Sequence, residues 1–130
     1  MLFRSLPDEL ETVFALCHQR NFKVMAHATN TEAVKAAVRL GAHSVEHGYI
    51  MDEEAIGMLL DSGTWYVPTL SITHLTPSQA TSQWEKAYAE RKNLAPDLVV
   101  RAEAASEVHR QWFQQALAAG VKMGIGRAHV

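Results

Sequence analysis

The chain has 130 residues, 48% hydrophobic and 20% charged, and its 12 Lys and Arg against 14 Asp and Glu give a net charge of −2. This is an ordinary globular composition, long enough to bury one core without staples, and its single cysteine, Cys17, excludes an internal disulfide. Nucleic acid and membrane are excluded as partners: Lys86, Arg91, Lys92, Arg101 and Arg110 alternate with Glu85, Glu90, Glu103 and Glu107, and no apolar run nears the ~20 residues that span a bilayer.

The first predicted element is a helix capped by Ser5, with Pro7 in its first turn, running to Arg20 with Leu10, Val13, Phe14 and Cys17 on one apolar face. Residues 22–28 are a short apolar run, too brief for a helix and expected to be a strand buried on both faces. Asn30 or Thr31 caps the next helix, where Ala33, Val34, Ala37, Val38 and Leu40 form the stripe and Gly41 the stop. The pattern repeats with a strand over 42–48, a cap at Asp52, a helix over 53–62 and a stop at Gly63. A strand over 64–70, with Pro68 near its end, leads into a polar stretch over 71–82. Helices over 84–93 and 96–119, a stop at Gly120 and a fourth strand over 121–125 complete the chain. Alternation at this spacing predicts an α/β fold of right-handed βαβ units on a parallel sheet, in one domain over residues 1–130. The absence of an apolar leader in the opening residues and the lone cysteine read as cytoplasmic.

His27 and His47 end consecutive predicted strands. If those strands are neighbours, the two imidazoles lie side by side at about the ~4.8 Å strand spacing. Alternation along each strand groups His27 with Met25 and His47 with Val45, and turns Val24, Ala26, Ser44 and Glu46 the other way. Parallel α/β folds place their chemistry at this end, and two neutral imidazoles can share a divalent ion there. The alternative is a pair of hydrogen-bonded structural histidines. His74, in the loop after the third strand, and Thr69 and Ser71 at that strand's end are candidate substrate contacts. His18 is assigned to the solvent side of the first helix and His43 to the opposite end of its strand from the metal, and His109 sits among Glu107 and Arg110 on a helix.

Residues 24–28 (VMAHA), 41–48 (GAHSVEHG), 52–56 (DEEAI), 67–70 (VPTL) and 119–126 (AGVKMGIG) resemble, in order, the second half of the metal-dependent amidohydrolases, in the imidazolonepropionase and Xaa-Pro dipeptidase branch. The resemblance implies a partial (β/α)8 TIM barrel, about strands 5–8 with their helices. His27 and His47 then match the metal ligands of strands 5 and 6, for a divalent ion that is usually zinc. The implied reaction is hydrolysis of a C–N bond in a small amide, cyclic amide or dipeptide by metal-activated water.

Three parts of that machinery have no counterpart here. No two histidines are separated by one residue, as in the family's strand 1 motif, and the strand 4 lysine would precede Met1. Where the family carries an aspartate after strand 8, this chain has Arg127 and Ala128. It is therefore expected to be a fragment, close to half of the ~250 residues of a barrel and not competent alone. Four strands taken from a barrel leave two open edges and an uncovered inner face, so a second copy or the missing N-terminal half is the expected partner. The alternatives are a non-enzymatic half-barrel module that binds through those edges, and relaxation into an open flavodoxin-like sheet.

Overall fold

The computed structural model describes residues 7–73 and 76–125. The chain runs α1 (Pro7–Gln19), β1 (Met25–Ala28), α2 (Thr31–Arg39), β2 (Ser44–His47), α3 (Glu53–Ser62), β3 (Trp65–Val67), a 3-10 turn (Leu70–Ile72), α4 (Gln83–Lys92) and α5 (Pro96–Ala119). The three strands form one parallel sheet in the order β1-β2-β3. The fourth expected strand is reduced to a single parallel bridge between Tyr66 and Met123, held by Tyr66 N to Lys122 O at 2.8 Å and Gly124 N to Tyr66 O at 2.9 Å.

Local chemistry explains the helix limits. Asn30 and Asp52 sit in extended backbone and accept from the amides of Ala33 and Ala55, so each satisfies a donor that the first turn leaves open. α3 stops at Gly63, whose φ of +66 suits a residue without a Cβ. Ser82 and Glu85 form a reciprocal capping box on α4, and the amides and hydroxyl that Glu85 accepts from Ser82 and Thr81 hold its carboxyl down to about 2. Glu85 is thus a helix cap rather than one of the solvated face charges.

The core lies on one side of the sheet. Val34, Val38, Val45, Leu59, Tyr66, Ala116 and Val121 are buried where α2, α3 and α5 cover the strands. Lys35, on α2, is buried as well, and its ammonium pairs with Asp52 at 2.7 Å and with Glu54, joining the start of α3 to α2. These partners raise the Lys35 pKa, while the Lys35 ammonium holds the Asp52 carboxyl below its ordinary value.

The opposite face is open, and here two expectations are corrected. β1 is not buried on both faces: Met25 is 73% exposed and His27 is exposed, while Ala28 is buried. Met25, Ser44, Glu46, Trp65 and Val67 line a trough of about 360 Å³ on this side, the face that a closed barrel turns inward. The first helix buries only Phe14, with Val13 and Leu16 about half exposed. It is tied down through its end, where His18 Nε2 meets the Gly41 carbonyl at 3.1 Å. The Ser5 cap lies outside the described residues. β3 is also shorter than expected, because the chain leaves the ladder at Pro68 and enters the 3-10 turn.

Candidate metal centre

His27 and His47 meet at the carboxyl ends of β1 and β2, ring centroids 4.4 Å apart and planes at 68°. The route to this contact differs from simple alternation. In register, His27 is level with Glu46 and Ala28 with His47, so His27 shares its face with Glu46, and His47 starts from the face of Ala28 and Val45. The matched parity expected for the two histidines is therefore wrong, as is the expectation that Ser44 and Glu46 turn away from the face of Met25 and His27. Ser44 Oγ and Glu46 Oε1, 2.8 Å apart, both lie on the open side. The rings meet because His47 leaves strand geometry at φ +79, which swings its side chain across the end of the sheet.

Thr69 takes a similar conformation at φ +48, a position that a β-branched side chain rarely occupies. These two strained residues are bonded to each other, with His47 Nδ1 2.6 Å from Thr69 Oγ1. Backbone of this kind costs of order 1–3 kcal/mol per residue and persists only where its surroundings over-determine it. The Tyr49 hydroxyl reaches the same nitrogen at 3.3 Å. Below them Tyr66, fully buried, donates to the carbonyls of His47 at 3.2 Å and Gly48 at 3.3 Å and so fixes the turn that follows β2.

Electrostatics favour a neutral His47. Burial lowers its pKa and the neighbouring His27 lowers it further, while burial raises those of Tyr49 and Tyr66. A neutral imidazole is the form that binds metal. In the unfolded chain His47 takes a proton near pH 6.5, and in the folded chain only at lower pH. Its contribution to stability is therefore complete above that value and declines as the pH falls below it. Urea unfolding at pH 8 and pH 5.5 is expected to show a smaller acid loss in His47→Asn than in the natural chain.

The other candidates scatter. Ser71 is exposed in the 3-10 turn, and its carbonyl accepts from Lys92 Nζ at 2.8 Å. His74 lies outside the described residues, as do Arg127 and Ala128. His43 is exposed. His109, although it sits among Glu107 and Arg110 in the sequence, is completely buried on α5. Tyr49, Tyr66 and His109 were not anticipated around the histidines, and the signal for Tyr49 was its place two residues after a strand-end histidine. Among the described residues, no third His, Cys, Asp or Glu joins the pair to make a set of three.

Residues 3–130 match the amidohydrolase family, and the chain belongs to that family. Its fold is that of a partial (β/α)8 barrel. Ochratoxinase of Aspergillus niger is 25% identical over 120 residues, which are 92% of this chain and 23% of that protein. Its crystal structure matches with a TM-score of 0.75 at 24% identity, over 94% of this chain and 26% of that one. A Xaa-Pro dipeptidase with methionine bound in its active site matches with a TM-score of 0.72 at 28% identity, over 93% and 28%. A prolidase complexed with N-methylphosphonate-L-proline matches with a TM-score of 0.74 at 28% identity, over 97% and 29%. The chain thus spans about a quarter of the length of these relatives, less than the half expected from a bare barrel.

Proposed function

We propose that this chain supplies the two-histidine side of a divalent metal centre, zinc by preference, in a hydrolase acting on C–N bonds of small amides, cyclic amides or dipeptides. The observation that carries the reading is the His27–His47 contact at the sheet's carboxyl end, made by two residues of which one is held in strained backbone by Thr69. Family membership supports a hydrolase, and the similarity to a Xaa-Pro dipeptidase and a prolidase favours the dipeptide end of the range.

His27 and His47 would hold the ion through their ring nitrogens, as imidazoles do for zinc. When bound, it would supply a water acidic enough to ionise near neutral pH and a Lewis acid for the scissile carbonyl. His47 contributes a ring kept neutral by burial, oriented by the hydroxyls of Thr69 and Tyr49. His27, exposed on the open face, is reachable from the side where a substrate would enter. Two ligands are fewer than the three of a catalytic zinc site, so the remaining ligands and the proton-handling group come from outside the described residues.

The uncovered inner face fits the same reading. Met25, Trp65 and Ile125 stand exposed beside open strand edges, and further strands would cover them, whether from the rest of a barrel or from a second copy of the chain. A chimera tests both points: residues 7–125 are grafted in place of the matching segment of a Xaa-Pro dipeptidase. With zinc, it is expected to hydrolyse a Xaa-Pro dipeptide and to lose at least ~100-fold in kcat/KM on His27→Ala or His47→Ala. A folded chimera whose activity survives both substitutions would exclude this role for the pair.

A further inference from the structure

His109 sits in the middle of α5, 0% exposed, in a place where the sequence pattern suggested solvent. Burying an imidazole is costly unless its polar atoms are engaged, and a histidine this deep is uncommon. Its Nδ1 lies 2.7 Å from Thr73 Oγ1. Its ring packs edge-on against Tyr49, centroids 4.8 Å apart and planes at 65°. Tyr49 in turn packs against the His47 ring at 5.3 Å and brings its hydroxyl to His47 Nδ1. Thr73 closes the C-terminal side of the 3-10 turn whose N-terminal side is Thr69, the other hydroxyl on that nitrogen. Two routes therefore run from one buried ring on α5 to one atom of His47.

The same face of α5 seats the chain that follows the turn. Three residues before His109, Ser106 Oγ accepts from Gln79 Nε2 at 2.9 Å. Three residues before that, the Glu103 carboxylate accepts from Thr76 Oγ1 at 3.0 Å and from the Ser78 hydroxyl. Residues three apart share a helix face, so Glu103, Ser106 and His109 form one polar row. The row holds its segment in place from outside the sheet and ends at the His47 network.

We propose that His109 is a positioning residue for His47, clamping the Tyr49 ring and the Thr69 turn so that two hydroxyls hold Nδ1 and Nε2 is the nitrogen left to a ligand. The proposal rests on the metal reading for its purpose, although the geometry stands apart from it. The expected defect on removing His109 is a loosened His47 ring in a chain that is otherwise folded.

The test uses the full 130-residue chain labelled with 15N-histidine at pH 8. Long-range 1H–15N spectra are expected to show His47 in a single tautomer, and His109→Ala to move it to the averaged pattern of a free imidazole. The signals of His18 and His43 and the far-UV circular dichroism should stay as they were. His109→Gln, which keeps a polar partner for Thr73, is expected to restore part of the single-tautomer pattern. Cobalt(II) titration of the same proteins is expected to show about a tenfold weaker affinity in His109→Ala, as second-layer substitutions commonly give. If His109→Ala does not fold, Tyr49→Phe and His109→Gln decide, since each keeps most of the side-chain volume at its position and should loosen His47 in part, less than alanine would. A natural chain whose His47 is already averaged, or a folded variant whose His47 is unchanged, overturns the proposal. A natural chain that binds no cobalt(II) while its His47 still loosens in His109→Ala overturns only the metal reading.

Discussion

Gly48→Ala is expected to lower the melting temperature of the chain by about 10 °C, the shift that roughly 3 kcal/mol produces in a domain of this size. Two effects add. Gly48 has φ +52, where a side chain costs about 1–2 kcal/mol, and a Cβ built there falls 2.7 Å from Tyr66 Cε2. The ring has no room to move aside, because Tyr66 is fully buried and its hydroxyl is bonded to the carbonyls of His47 and Gly48 themselves. Overpacking of this kind adds about 1–3 kcal/mol. The two parts separate in a double-mutant cycle: in a Tyr66→Leu background the clash is gone and only the backbone cost should remain. A thermal melt of Gly48→Ala within a degree of the natural chain would mean that the turn after β2 is not held as described.

Thr69→Val is expected to weaken zinc binding by about 10–100-fold while leaving the fold intact. Valine keeps the volume and β-branching of threonine, so the strain at φ +48 is unchanged and only the hydroxyl on His47 Nδ1 is lost. The bond matters because the second nitrogen of a ligating histidine fixes the ring's tautomer and direction. Thr69→Ser, which returns the hydroxyl, is expected to recover most of the affinity in a competition titration against a chelating dye. Equal affinities for Thr69→Val and the natural chain would remove Thr69 from the centre and leave it a residue of the turn.

Helix limits were open to reading because capping and stop signals act within a few residues. Asn30, Asp52, Gly63 and Gly120 each do locally what their types favour, and α3 and α5 fall on the expected residues. The strand-end placement of His27 and His47 followed from the same alternation of elements. The facing of their side chains did not, because alternation fails where φ turns positive at His47, and the offset that sets His27 opposite Glu46 is a property of the pair of strands. Exposure of β1 on one side was hidden for a related reason: an apolar run reads alike whether its second face is covered by the same chain or by something else. The burial of His109 was not legible, because a lone polar residue between Glu107 and Arg110 follows the pattern of a solvated face. Its burial depends on Thr73 and Tyr49, which are 36 and 60 positions away and announce nothing locally.

The most direct test of the centre is the zinc retained by the purified dipeptidase chimera, in which the remaining ligands are supplied, counted by mass spectrometry after equilibration with micromolar zinc and removal of the excess. The chimera with both histidines is expected to hold close to one zinc more than its His27→Ala and His47→Ala variants. Zinc retained equally by all three proteins, or by none of them, would contradict a metal centre built on these two histidines.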